Sequence, residues 1–303
     1  MASVREIRRR IRSVRNISQV TRAMEMVAAS RMRRAQEQAL ASRAYAAKAW
    51  EVLMHLAAMV GGSQHPLLTE PATSRTAALI VITGDRGLAG AYNANVMRVA
   101  TRFADDSELD IKTIAIGRKG RELLLRGGYD LLAEFVDLPA RPTEADVAPI
   151  AEVALGAFLS QEVDRVYVAY SDFINVLHQE PVVRPLLPVR AGDPGSRVLA
   201  EFLHGEPPEQ TNPYIYEQGY DELVATVVPS FTRLQLYQAI LESLASEYSA
   251  RMVAMRNATQ NADDLVGELT LSYNKARQEA ITTEMLDIVG GAEALAAAEA
   301  PAS

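Results

Sequence analysis

The chain has 303 residues, 49% of them hydrophobic and 23% charged, with a net charge of −7 and no cysteine. Such a composition suits a globular protein with one or two cores. It excludes structural disulfides, thiolate metal sites and thiol catalysis. The longest clean apolar run, Ala77 to Ile82, falls far short of the ~20 residues that cross a bilayer.

Residues 3–58 predict one unbroken amphipathic helix. Its apolar residues fall at Val4, Ile7, Ile11, Val14, Ile17, Val20, Met24 and Val27, close to a heptad seam with one three-residue stammer after Val14. Beyond Val27 the seam turns to alanine (Ala28, Ala35, Ala39, Ala46, Ala49), which lets a partner helix approach closely. The first proline is Pro66, so the helix is expected to run to Gly61-Gly62. Residues 1–43 hold eleven arginines against three glutamates, a net of +8 that leaves −15 on the remainder. A basic helix on an acidic body could be a nucleic-acid arm. However, no aromatic that could stack on bases occurs before Tyr45, and a helix facing acidic protein surfaces is the better reading. No apolar leader follows Met1, so the protein is expected in the cytoplasm or peripherally on that side of a membrane.

The pattern then changes. Ala77–Thr83 predicts a strand buried on both faces, followed by Gly84-Asp85-Arg86-Gly87-Leu88-Ala89-Gly90 and a helix from Ala94 to Phe103. Ile111–Ile116 is a second strand, with Gly117-Arg118-Lys119-Gly120 and a helix to Arg126 behind it. Leu131–Val136 is a third strand. A helix over Thr143–Leu159 is capped by Thr143, with Glu144 and Asp146 in its first turn. Val163–Tyr170 is a fourth strand, and Val182–Val189 with Arg197–Leu203 suggests a hairpin. Alternation of this kind gives a small doubly wound α/β domain.

After Pro229, with Ser230 as N-cap, a second long helix is predicted. Its seam runs Leu234, Tyr237, Leu241, Leu244, Tyr248, Met252, Met255, Thr259, Ala262, Leu265, Leu269, Ser272 and Ala276, a sustained coiled-coil signal. Gly290-Gly291 is expected to stop it. At about 1.5 Å per residue, each terminal helix would be roughly 80–90 Å long, too long to be buried in its own domain. The chain therefore projects a shaft. If its two helices pair, they pair antiparallel. No repeat is visible, so the shaft has no rotational symmetry.

Catalytic signals are poor. Gly84, Gly87 and Gly90 follow a strand where a phosphate loop would sit, but the spacing is neither dinucleotide fingerprint nor P-loop. A structural turn is the better reading, and a nucleotide-binding enzyme built on Gly84–Gly90 is the alternative. Asp85 and Arg86 have no nucleophile or carboxylate partner beside them. The four histidines, His55, His65, His178 and His204, show no zinc spacing. No cofactor or metal is expected. Arg8-Arg9-Arg10 and Arg31-Met32-Arg33-Arg34 would attract acidic surfaces at long range.

Four blocks of the sequence resemble the gamma subunit of F-type ATP synthases, bacterial type. They are Ile7 to Gln36 (with I-R-S-V-R-N-I-S-Q-V-T-R-A-M-E-M-V-A-A-S), T-G-D-R-G-L-A-G-A-Y-N at Thr83–Asn93, Y170-x-x-F-x-N-x-x-x-Q-x-P181 with Leu186-Leu187-Pro188, and a last run through L-S-Y-N-K-A-R-Q-E-A-I-T. Gly84, Ala89 and Tyr92 depart from the family's usual serine, cysteine and phenylalanine. The resemblance implies an α/β fold class: a long antiparallel coiled coil of the terminal helices attached to a small Rossmann-like domain. The expected divisions are 1–60, 75–210 and 228–290, with a frayed tail at 291–303.

The same resemblance implies a central-stalk rotor with no active site of its own. It would be present in one copy inside a ring of three alpha and three beta subunits, and would touch the epsilon subunit and the c-ring. It would couple proton flow to the ring's nucleotide sites at the cytoplasmic face of a bacterial membrane. Met24 matches a position facing beta, Arg277 and Gln278 a pair that hydrogen-bonds a beta loop, and Arg251 a position important for coupling; all four are expected to contact the alpha/beta ring. A redox-active cysteine pair found in chloroplast relatives is absent.

Overall fold

The structure, a computed structural model, describes residues 3–59, 67–69, 71, 73–189 and 220–299. The expected helix stop at Gly61-Gly62 and the strand expected at 197–203 lie outside those residues. The chain forms two compact units, one of Met1–Met26 with Ala254–Ser303 and one of Val27–Val253.

The second unit is built on a five-stranded sheet. Its strands are β1 (Thr76–Ile82), β2 (Asp110–Ile116), β3 (Asp130–Phe135), β4 (Arg165–Phe173) and β5 (Gln179–Leu187), in the order β3-β2-β1-β4-β5. Four strands run parallel and β5 is antiparallel to β4. The apolar run of β1 reflects two buried faces. Ala77, Leu79 and Val81 point to a core shared with α2 (Tyr92–Asp106) and α3 (Arg118–Gly127). Ala78, Ile80 and Ile82 point to the opposite core, with α4 (Glu144–Leu159) and parts of the two long helices α1 (Val4–Met59) and α5 (Tyr220–Glu299). There Trp50 of α1 packs on Phe231 of α5 with ring centroids 5.4 Å apart. The Asp146 carboxylate accepts from the Thr143 N–H and hydroxyl at 2.7 Å, fixing the start of α4.

β5 pairs with β4 through a turn in which Asn175 Oδ1 accepts the N–H groups of Leu177 and His178. Two expectations need correcting. The last helix starts at Tyr220, so Pro229 lies inside it and Ser230 is no N-cap; its hydroxyl donates to the Thr226 carbonyl one turn back. The carbonyl that loses its donor to Pro229 belongs to Ala225, which is exposed and can be hydrated. Gly290-Gly291 does not stop the helix, which runs to Glu299. A helical glycine costs about 1 kcal/mol, and the alanine-rich run behind the pair is made of the strongest helix formers.

Between Val228 and Met252, α5 is buried on nearly all sides, as a core helix is rather than an amphipathic one. Thr232, Ser243, Ser246 and Ser249 are all fully buried there. The Thr232 hydroxyl donates to the Val228 carbonyl of its own helix, whereas Ser246 donates to the Ser171 carbonyl at 2.9 Å and Ser249 to the Val176 carbonyl at 2.6 Å.

The first unit pairs the beginning of α1 with the end of α5. Arg8 meets Tyr273, Ser18 meets Asp263, Thr21 meets Thr259 and Glu25 meets Arg256. Numbers rise on one helix as they fall on the other, so the pair is antiparallel. The seam is not the expected one. It keeps strict heptad spacing through Ile7, Ile11, Val14, Ser18, Thr21 and Glu25, and the same spacing continues at Ala28, Met32 and Ala35. No stammer occurs. Ile17 and Val20 stand outside, 52% and 58% exposed. On α5 the seam passes through Val266 and Tyr273, not Leu265 and Ser272, which are exposed.

Candidate functional site

The Gly84–Gly90 segment sits at the carboxyl end of β1, between β2 and β4, where the strand order reverses and open α/β sheets usually bind ligands. A cleft of about 320 Å³ opens there, lined among others by Arg31, Asp85, Asp137, Glu247, Tyr248 and Arg251. Several of its hydrogen-bonding groups are already committed. The Gly84 N–H donates to Asn93 Oδ1 at 2.9 Å. Asp85 Oδ1 accepts the N–H groups of Arg118 and Asp137 at 3.0 and 3.1 Å, so it occupies the start of α3 where a phosphate would bind. Arg118 in turn grips Asp137 through both carboxylate oxygens, at 2.8 and 2.6 Å. Thr83 Oγ1 accepts the Gly120 N–H at 2.8 Å, and a Cβ at Gly117 would lie 2.1 Å from the Thr83 carbonyl oxygen. The loop is a clasp joining β1 to α3, to β3 and to the core helix.

Glu247 completes the clasp, and nothing in the sequence reading had singled it out. Its carboxylate presses on Gly84, where a Cβ would come within 2.8 Å of it. Arg251 donates to Glu247 Oε1 at 2.5 Å and to the Gly87 carbonyl at 3.3 Å, and lies over the Tyr248 ring. The two side chains are only 12% and 9% exposed. Burial pushes the Glu247 carboxyl above its ordinary pKa, and Arg251 partly offsets this. Burial likewise raises the Tyr92 hydroxyl, with Glu247 adding to it; that hydroxyl is 2.7 Å from Ser243 Oγ. A carboxyl buried behind the loop, with the Asp85 carboxylate already seated at the start of α3, disfavours phosphate there. A signal for Glu247 did exist: between Arg233 and Arg251 the only charges are Glu242 and Glu247, far below the ordinary quarter.

The other predicted site residues lie in the first unit. Met24 is half-buried on α1, beside the exposed Ile17–Val20 stripe. Arg277 and Gln278 are exposed side by side on α5, roughly 30 Å along the pair from Met24 by helix rise. Beyond them Ile281, Met285, Leu286, Ile288 and Val289 are all at least half exposed. Contiguous apolar surface of that kind marks a contact with another protein. Among the described residues, no cluster of acidic or histidine side chains could hold a metal, and no helix is long and apolar enough to cross a membrane.

Residues 3–295 match the protein family described as ATP synthase. The chain is 47% identical over 298 residues to the ATP synthase gamma chain of Dehalococcoides mccartyi, covering 98% of this chain and 100% of that one. To the gamma chain of Roseiflexus castenholzii it is 48% identical over 300 residues, covering 98% and 99%. Among solved structures, the central stalk and c-ring of the Tetrahymena thermophila mitochondrial ATP synthase matches with TM-score 0.59 and 25% identity over 79% of this chain and 99% of that one. A chain of the Euglena gracilis mitochondrial enzyme (OSCP/F1/c-ring) shares the fold with TM-score 0.66 at 18% identity, over 99% and 97%.

Proposed function

The chain belongs to the ATP synthase gamma-chain family, and on that premise we propose that it is the central-stalk rotor of a bacterial, proton-translocating F-type ATP synthase. The observation that carries this reading is the first unit itself. It is an antiparallel helix pair with a polar, partner-matched seam, and its apolar residues at 17, 20 and 281–289 are turned to the outside. A chain that buries hydroxyls and displays isoleucines is shaped for an enclosing partner.

The partner is a ring of three alpha and three beta subunits around one copy of this chain. The α/β unit meets the epsilon subunit and the c-ring, and the complex works at the cytoplasmic face of the membrane. Residues 1–60 and 228–290 serve as the shaft and 75–210 as the domain that receives torque. Ring contacts fall to Met24, Arg277 and Gln278. Arg251, expected at the ring, is instead held in its buried ion pair and keeps the core helix clasped to the Gly84–Gly90 loop. An asymmetric rod touches three chemically identical sites differently, and only a differential contact can hold them in different states. The chain itself contributes no catalytic group and no cofactor. Calorimetry with ATP, NAD and NADP on the isolated chain is expected to show no micromolar binding at the Gly84 loop.

Co-purification tests the assembly. A tag on this chain should recover, by native mass spectrometry, one copy with three each of two nucleotide-binding subunits. Recovery of the chain alone from a membrane fraction with intact ATPase would contradict it.

A further inference from the structure

The α1 sequence offers two seams one residue apart. One is apolar and stammered, running Val14, Ile17, Val20, Met24. The other is heptad-regular and polar, running Val14, Ser18, Thr21, Glu25. Hydrophobic burial alone favours the first. The structure adopts the second, and it does so where α5 answers each polar residue. Ser18 donates to Asp263 Oδ1 at 2.6 Å, and Arg22 donates to Asp263 Oδ2 at 3.1 Å. The Thr21 and Thr259 hydroxyls are 2.7 Å apart, and Arg256 donates to Glu25 Oε1 at 3.0 Å. One of these two hydroxyls donates to the other, which is free to donate to a carbonyl of its own helix, Thr21 to Ser18 or Thr259 to Met255. Ser18 and Thr259 are buried, whereas Asp263 and Arg256 reach in from the exposed flank; a buried polar group loses more when left unmatched than it gains when matched. A single polar position in a coiled coil is known to fix register for that reason.

We infer that Ser18, Thr21 and Glu25 with Asp263, Thr259 and Arg256 form a register key, which fixes the rotation of α1 on α5 and so keeps Ile17, Val20 and Met24 facing outward. These are positioning residues. They act through the pairing of the two helices, and they decide which face of α1 a partner meets. Moving from one seam to the other turns α1 locally by about 100°, one residue of helix, and overwinds the coil as a stammer does. That the outward face meets the alpha/beta ring rests on the proposed function; the key itself does not.

The absence of cysteine makes the test direct. Single cysteines at 17 or 20 are labelled with a maleimide in the full-length chain. In the parent both react fast, as their exposure requires. Replacing the α5 half of the key (Arg256→Leu, Thr259→Val, Asp263→Leu) strands Ser18, Thr21 and Glu25 against apolar groups. The labelling rate at both positions should then fall by a factor of about ten, as for a group that waits on an opening of about 1.4 kcal/mol. Adding the matching changes on α1 (Ser18→Leu, Thr21→Val, Glu25→Leu) should restore fast labelling, because the heptad seam is then apolar on both helices. The exchanged pair Glu25→Arg with Arg256→Glu, which keeps all other groups, should leave labelling at the parent rate. Fast labelling in the α5 triple, with helical content retained, would mean that the remaining apolar seam sets the register and would overturn the inference. Slow labelling in the parent would overturn it as well. Failure of the ring reading looks different: both cysteines would label equally fast in the isolated chain and in the assembled complex.

Discussion

Arg251→Met removes the cation from the buried pair and leaves Glu247 against Gly84 with only the weaker influence of Arg31 to offset its charge. Removing one partner of a buried pair costs about 3–5 kcal/mol when the other stays ionised. The loss has a ceiling, since Glu247 can take up a proton. Its folded pKa is already raised by burial, and it rises further once Arg251 no longer offsets that burial. An acid raised on folding binds its proton more tightly in the folded state. Between its unfolded pKa of about 4.3 and its folded pKa, stability therefore falls as pH rises, by up to 1.36 kcal/mol per pH unit.

The variant should consequently lose about 3 kcal/mol near pH 8 and progressively less towards pH 5. For a cooperative body of roughly 150–250 residues, that is a drop in Tm of about 6–12 °C at the higher pH. Urea or thermal denaturation from pH 5 to 8 measures it. Adding Glu247→Gln should remove most of the loss and its pH dependence, since no charge is then stranded. A pH-independent loss, unchanged in the double variant, would refute the reasoning. It would mean that Arg251 acts through packing on Tyr248 and Gly87 alone.

Other outcomes follow from the same geometry. Gly117→Ala places a Cβ on the Thr83 carbonyl at a φ of +91°, and should cost at least about 2 kcal/mol, read by urea denaturation. Arg277→Ala, at an exposed site, should leave the isolated chain within about 0.5 kcal/mol of the parent. In the assembled complex it should lower ATPase about tenfold, the worth of one charged hydrogen bond; unchanged turnover and proton pumping would remove Arg277 from the contact set. The triple change Met285→Ser, Leu286→Ser, Ile288→Ser should leave the α/β core unaffected by circular dichroism while weakening assembly with alpha and beta, measured by native mass spectrometry.

The sheet was legible because its signals are local. The run Ala77–Ile82 is apolar without a break, which only burial on both faces explains, and Ile111–Ile116 is interrupted only by Lys112 and Thr113. Both long helices were legible for the same reason. Their seams were legible only in part. At Ile17 and Val20 the heptad departs from the apolar residues, because matched hydroxyls and charges on the facing helix outweigh hydrophobic spacing, and that facing residue is about 240 positions away in the chain. Glu247 escaped because a glutamate in a long helix ordinarily reads as a solvated face, and its burial depends on the Gly84 loop packing over it. The ends of α5 were misread at Pro229 and Gly290, where breakers that stop a marginal helix are tolerated in a long cooperative one.

Rotation is the most direct test of the central claim. The chain, given one cysteine in the α/β unit and assembled with alpha and beta subunits fixed to a surface, carries a visible probe while ATP is supplied. Unidirectional, ATP-dependent turning of the probe is the predicted result. Sustained ATP hydrolysis with the probe stationary would contradict the rotor account.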